Sequence, residues 1–134
     1  MPTPLDALRE LAGGKLPPPP IAALIGFTLS AVSPGQAVVE LAVGRQHANP
    51  MGTLHGGVLC DIADAAMGIA YASTLAEGES FATIELKINF LKPVWTAKPR
   101  AMGRLVKAGK SWGFSSVTSP TISTASWRER RRRA

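Results

Sequence analysis

The sequence predicts an α+β domain in which an antiparallel sheet wraps around one long helix. One stretch, Gly57 to Ser73, would be apolar on nearly every side as a helix. On both sides of it the chain has segments with the alternating apolar pattern of β-strands. A helix of that kind is buried on nearly every side, and a sheet wrapped round it is the economical packing. At 134 residues the chain has the length of one domain, so we expect a single domain over residues 1–134.

Before the long helix, the chain divides into a short helix, a stiff connector and a hairpin. Residues Leu5 to Leu11 have an amphipathic helical pattern that the glycines at 13–14 end, and the connector LPPPP follows at 16–20. Two apolar segments come next, at 21–32 and 36–44. The letters SPG between them indicate a turn joining two strands.

Two further strands are predicted after the long helix. Residues 81–94, FATIELKINFLKPV, place an apolar side chain at every second position until Pro93. Residues 99–112, PRAMGRLVKAGKSW, read as another strand that ends in a turn at Gly109.

Charge and composition exclude several classes of function. The net charge is +6, but the five arginines and one glutamate of residues 128–133 supply +4 of it. A basic tail without interleaved aromatic residues is weak evidence for nucleic acid, so we expect no nucleic-acid partner. No apolar run approaches the roughly 18 residues of a membrane span, so we expect no membrane partner. The lone Cys60 and an N-terminus without a secretory pattern favour the cytoplasm.

The middle of the chain resembles a known family. Residues 47–68, HANPMGTLHGGVLCDIADAAMG, and residues 82–94, ATIELKINFLKPV, resemble the hot-dog-fold acyl-CoA thioesterases, in particular their phenylacetyl-CoA thioesterase-like branch. The letters HGG alone are a weak motif. An Asn six residues before the His, an Asp nine residues after it and the strand pattern T-x-E-L-x-x-x-F make the combination specific. The resemblance covers about residues 20–112.

The resemblance implies a fold, an assembly and a reaction. The helix that starts at HGG would lie inside a six-stranded sheet, and active sites would lie between the helices of a homodimer, two of which pack as a tetramer. The implied substrate is an acyl-CoA, hydrolysed without a metal ion or a cofactor. The acyl group cannot be read from the sequence, because its pocket would combine distant segments and the partner subunit.

At the start of the helix, the resemblance implies that Gly56 gives its backbone N–H to the thioester carbonyl oxygen. Free N–H groups at a helix N-terminus favour negative charge, and glycine permits close approach. Gly57 would help to bind substrate, and His55 would be structural or contact the carbonyl. For all three residues the alternative is an ordinary junction between a loop and a helix.

Two aspartates follow on the helix. Asp64 matches the family's catalytic carboxylate, which acts as a general base on water or as a nucleophile. Apolar neighbours disfavour the charged form of a carboxylate, which suits a base working near neutral pH. The alternative is an Asp held by backbone donors. Asp61 lies on nearly the same face, and we interpret it as a helper or a helix-start acid; spacing alone does not separate the two.

Three other residues complete the candidate site. Asn49 matches a polar residue that contacts the carbonyl or positions water, or it is simply the turn residue before a proline. Thr83 matches a Ser/Thr that holds the attacking water across the dimer, or it is simply a good strand residue. Cys60 with His55 would be a rival nucleophile pair, but residues five apart on a helix lie on different faces.

Two other functions use the same fold. A non-catalytic module that binds acyl-CoA would need the N–H donors but no base, so Asp64 separates it from an enzyme. A hydratase or dehydratase would need a catalytic histidine paired with an acid. The two histidines of the chain, His47 and His55, occur with only the HGG pattern around them, which argues against that function.

The C-terminal segment, residues 112–134, departs from the family. It has many Ser and Thr, no acidic residue before Glu129 and an arginine run. It is either a divergent end with a solvated basic tail or a frameshift product. The frameshift is considered because a DNA sequence can be written that encodes this segment and, when read two bases later, encodes a family-like hairpin. In the second case the tail has no evolved function and the last strands pair poorly. Resequencing the source DNA near codons 110 to 113 separates the two.

Overall fold

The structure, a computed structural model, describes residues 3–95 and 98–132. Three α-helices and six strands are found in this part of the chain: α1 Pro4–Ala12, α2 Pro20–Ile25, β1 Phe27–Ser33, β2 Gln36–Leu41, α3 Gly56–Ala72, β3 Glu79–Phe90, β4 Arg100–Ala108, β5 Trp112–Thr118 and β6 Ile122–Arg132. A 3₁₀ turn, Arg45–His47, precedes α3.

The six strands form one sheet in the order β1-β2-β4-β5-β6-β3, with every neighbouring pair antiparallel. Helix α3 packs against the sheet, chiefly on β2 and β4. Its buried residues join side chains from β1, β2, β4, β5 and β6 in one apolar core. The predicted α+β class, with one long helix inside an antiparallel sheet, is confirmed.

The N-terminal predictions are confirmed except at one point. Thr3 caps α1 through a reciprocal pair of bonds with Asp6, and the β1–β2 hairpin turns at Gly35 (φ +76°) as the letters SPG predict. The strand predicted from residue 21 is wrong, because α2 occupies its first five residues. Pro20 starts a short helix there and Gly26, at φ +95°, ends it.

Close packing of α3 on the sheet depends on small residues. A Cβ atom on Gly103 of β4 would lie within 3 Å of three backbone atoms of Ala66 and Met67 in α3. A Cβ on Gly113 of β5 would similarly meet the ring of Tyr71 at 2.7 Å. The helix therefore lies nearer to β4 and β5 than any side chain at these two positions would allow.

A bulge interrupts β3 beside α3. Thr83 pairs with Arg128 of β6, whereas Glu85 pairs with Trp127, so Ile84 is an extra residue in the strand. Residues on both sides of the bulge face the helix: the Phe81 ring lies 3.1 Å from the point that a Cβ on Gly68 would occupy, and Leu86 packs against the core.

The expectation that the last strands pair poorly is wrong. Strand β5 pairs along its whole length with β6, and β6 pairs along its whole length with β3. Their inner faces are nevertheless unusually polar, with Ser115, Thr124, Ser126 and Arg128 buried. Whether the segment is a frameshift product stays a prediction, and residues 133–134 of the tail lie outside the described residues.

Among the residues that the structure describes, no helix is long and apolar enough to cross a membrane.

We predict that Gly103→Ala destabilises the fold by about 1–3 kcal/mol or more, because the new methyl group would meet helix backbone that cannot rotate away. The matched control is Gly13→Ala, whose Cβ would meet the carbonyl oxygens of Arg9 at 3.4 Å and Glu10 at 3.7 Å, so its change should stay within about 0.5 kcal/mol. Urea denaturation measures both. Equal stabilities of the two variants would contradict the proposed close approach.

Candidate active site

The N-terminus of α3 presents one uncommitted backbone donor. His55 is the N-cap, and its Nδ1 accepts a hydrogen bond from the Gly57 N–H at 2.9 Å. Gly56, the first helical residue, finds no acceptor for its own N–H among the described residues. The His55 cap therefore binds the N–H of Gly57. The N–H of Gly56, at the positive end of the helix dipole, is left without an acceptor in the described part of the chain.

A cavity of about 320 Å³ opens at this helix start. Asn49, Gly56 and Phe90 are among its lining residues. The ring of Phe90 lies 2.9 Å from the point that a Cβ on Gly56 would occupy, so a side chain at position 56 would collide with the ring. Glycine thus keeps the N–H accessible from a partly apolar cavity.

Asn49 serves the loop that leads to the helix. Its Oδ1 accepts hydrogen bonds from the backbone N–H groups of Met51 (3.0 Å) and Thr53 (3.1 Å), and its Nδ2 donates to the Thr53 hydroxyl at 2.7 Å. This is the turn role that we considered as the alternative. The predicted contact of Asn49 with a substrate carbonyl stays a prediction.

Asp64 lies eight residues further along α3, about 12 Å from Gly56 by the rise of a helix. Its side chain is 48% exposed in this chain, so the apolar surroundings expected for it are not found. Thr83 donates from Oγ1 to Asp64 Oδ1 at 3.2 Å, within the same chain rather than across a dimer. Arg128 donates to the same carboxylate oxygen at 2.5 Å.

Arg128 is the site residue that the sequence analysis missed, because both interpretations of the C-terminal segment, a solvated tail and a frameshift product, give its arginines no role in the site. Its side chain is 1% exposed. The signal lies in the alternation of β6: the buried residues Ile122, Thr124 and Ser126 share a parity that places Arg128 on the inner face.

Asp61 and Cys60 are partly buried and lie near the negative charge of Asp64. Burial raises the pKa of Asp61 above its ordinary value, and the charge of Asp64 raises it further. Burial likewise raises the pKa of the Cys60 thiol, with smaller contributions from Asp61 and Asp64. A raised thiol pKa disfavours the thiolate, which argues against a cysteine nucleophile.

Both histidines bind backbone groups. His55 caps α3, and the buried His47 accepts from the Gly44 N–H at Nδ1 (2.9 Å) while its Nε2 contacts the Ile25 carbonyl oxygen at 2.6 Å. Neither is paired with an acid in the part of the chain that the structure describes, which gives the hydratase function no support. In the same residues, no three His, Cys, Asp or Glu side chains are grouped to hold a metal ion.

The predicted site residues thus form two groups on α3. Asn49, His55, Gly56 and Gly57 lie at its N-terminus, whereas Asp61, Asp64 and Thr83 lie about two turns further along. One chain does not bring the free donor and the carboxylate to a common point.

Comparisons with known proteins agree with this fold. The family model of the thioesterase superfamily matches residues 51–118, just over half of the chain. Human acyl-coenzyme A thioesterase 13 is 28% identical over 92 residues, which cover 68% of this chain and 65% of the human protein. The chain therefore spans slightly less than two thirds of the length of such relatives.

Solved structures extend the similarity to nearly the whole chain. A thioesterase family protein from Silicibacter pomeroyi superposes with a TM-score of 0.85 at 20% identity, covering 93% of this chain and 98% of that one. The PaaI protein from the phenylacetic acid degradation operon of E. coli gives a TM-score of 0.79 at 22% identity, covering 92% and 93%. With the matching family model, these results establish that the chain belongs to the thioesterase superfamily and has its hot-dog fold.

Proposed function

We propose that the protein hydrolyses an acyl-CoA thioester to a free acid and CoA. The observation that carries this proposal is the backbone N–H of Gly56 at the N-terminus of α3: it has no acceptor among the described residues, and Gly56 lines a cavity. A donor so placed stabilises the negative oxygen that forms when a thioester carbonyl is attacked. Relatives that include a human acyl-coenzyme A thioesterase support the same class of substrate.

The reaction needs a base as well as the donor. A water oxygen attacks the carbonyl carbon, Asp64 takes the proton from that water, and the carbonyl electrons move to the oxygen beside the Gly56 N–H. Collapse of this intermediate breaks the C–S bond. The CoA sulfur leaves as a thiolate and takes up the proton, so that one water yields one acid and one thiol. In a variant of this scheme, Asp64 itself attacks the carbonyl carbon and forms an anhydride, which water then hydrolyses.

Two chains are needed to form such a site. Gly56 and Asp64 are about 12 Å apart on one helix, whereas both must reach one carbonyl group. Among the described residues, β3 pairs with β6 on one edge and with no strand on the other, and its Ile84 and Phe90 side chains are 50% and 54% exposed. A second copy added at this edge would cover apolar surface and bring its own α3 close. We infer a homodimer with sites shared between chains, and a dimer of dimers as the complete assembly.

A second candidate function is a non-catalytic domain that binds acyl-CoA. The ion pair between Arg128 and Asp64 favours it, because the carboxylate is already engaged. The variants of Asp64 described below decide between the two. For either function, the lone Cys60 suits a reducing compartment such as the cytoplasm.

We predict that Gly56→Pro lowers kcat for acyl-CoA hydrolysis by about 10²–10³, because proline removes the N–H donor. The fold should be kept, since the first position of a helix tolerates proline and His55, at φ −63° and ψ 133°, already has the extended conformation required before it. The matched control is Gly56→Ala, which adds a Cβ toward Phe90 but keeps the donor. An equal loss in both variants would mean that crowding, not the donor, matters.

We predict that Asp64→Asn lowers kcat by about 10²–10⁴ while acyl-CoA binding is largely kept, because the amide is nearly isosteric but cannot accept the proton. Asp61→Asn should cost far less. Release of free thiol from phenylacetyl-CoA, benzoyl-CoA and octanoyl-CoA measures turnover, and isothermal titration measures binding. A parent protein that binds these compounds without releasing thiol would favour the binding domain; an inactive Asp61→Asn beside an active Asp64→Asn would refute our assignment.

We predict that mixing the Gly56→Pro and Asp64→Asn proteins, after unfolding and refolding them together, restores activity. In a heterodimer one site combines an intact Gly56 from one chain with an intact Asp64 from the other. Light scattering should show a dimer or a tetramer. An active monomer, or no recovery in a verified heterodimer, would show that each chain contains its own complete site.

A further inference from the structure

The most costly group in the described core is the guanidinium of Arg128. Arg128 is fully buried on the inner face of β6, and its side chain is the largest of the fully buried side chains among the described residues. Burial lowers its pKa, and the charge of Asp64 offsets only part of that effect. An arginine in such a position has to be explained by its partners.

Those partners are the candidate base and its surroundings. Nη2 donates to Asp64 twice, to carboxylate Oδ1 at 2.5 Å and to the backbone carbonyl oxygen at 2.9 Å, while Nη1 donates to the Ser126 hydroxyl. The guanidinium carbon lies 5.6 Å from the centre of the Phe81 ring. Nε has no hydrogen-bond partner among the described residues. The cation is therefore held mainly through Asp64.

This contact works against a base because it occupies the atom that a base would use. Arg128 Nη2 and the Thr83 hydroxyl both donate to the same carboxylate oxygen, Oδ1. A carboxylate oxygen has two lone pairs, so the two donors together fill its acceptor positions. A water molecule can then bond to Oδ1, as general base catalysis at that oxygen requires, only by displacing one of them.

The face of the sheet that carries Arg128 is also unusually polar. A strand that covers a central helix normally buries apolar side chains on that face. Here Ser115, Thr124 and Ser126 are buried as well, and the Ser115 hydroxyl has no partner in the described part of the chain. All of them belong to residues 112–134, the segment that departs from the family.

We propose that Arg128 is an inhibitory positioning residue: its ion pair with Asp64 holds the candidate base and limits the rate of thioester hydrolysis. This inference rests on the proposed function, since it concerns the same carboxylate. It goes beyond that function by assigning a limit on the rate to one contact between β6 and α3. Removal of the cation should therefore make the enzyme faster.

The experiment replaces Arg128 by methionine, which is unbranched and apolar and suits a buried position. Arg128→Met should raise kcat for the acyl-CoA panel by about tenfold, the order of a charge-assisted hydrogen bond, with KM changed by less than about twofold. Its thermal midpoint should equal or exceed that of the parent. Arg131→Met is the matched control: it removes the same charge from the same strand, but its side chain is 58% exposed, so kcat should not change.

The outcomes are distinguishable. A gain in Arg128→Met that disappears in the Arg128→Met/Asp64→Asn double variant supports the inference, whereas a gain that persists there overturns it. A rate equal to or below that of the parent overturns the inference and leaves hydrolysis standing. No thiol release by any of these proteins overturns the proposed function as well. If Arg128→Met does not fold, Arg128→Gln, which is uncharged but can still bond Ser126, should give the same gain.

Discussion

The close approach of α3 to β4 is the constraint on which the rest of the structure depends. Gly103 has no side chain, and the backbone of Ala66 lies where one would be. This contact sets the depth of the helix inside the sheet, and since the helix is rigid it also sets where both groups of site residues lie. Asp64 reaches Thr83 and Arg128 on neighbouring strands, and the helix start reaches the cavity beside Phe90.

The two groups of candidate site residues differ in whether local or distant contacts determine their positions. At the helix start, a local cap leaves one donor unused, and only His55, Gly56 and Gly57 are involved. Around Asp64, the arrangement depends on the register of β3 against β6 and on a side chain 64 residues away. A change in the C-terminal segment therefore affects the candidate base without disturbing the Gly56 donor, so the two parts of the candidate site can change separately.

Most of the fold could be predicted because its determinants are local. Alternation and turn signals identified β1 to β4, whereas β5 and β6 were expected only from the six-stranded sheet that the resemblance implies. The nearly all-apolar stretch identified the buried helix, and the letters HGG marked its beginning within one residue. The short helix α2 was missed because Pro20 and Gly26 bound a segment that is too apolar to look helical. The ion pair between Asp64 and Arg128 could not be predicted, since it joins residues 64 apart in the chain and depends on the pairing of distant strands, whereas the alternation of β6 indicates only which face Arg128 shares.

The bulge at Ile84 has a consequence for how this domain tolerates insertions and deletions. The bulge adds one residue to β3. As a result, Phe81 and Thr83 before the bulge and Leu86 and Ile88 after it all face the helix. Deletion of Ile84 itself would remove the bulge and restore regular alternation, so that both halves of the strand would still face the helix. A one-residue slip of the first half along β6, with Ile84 kept, would instead turn that half inside out, and the carboxylate would lose its hydroxyl partner.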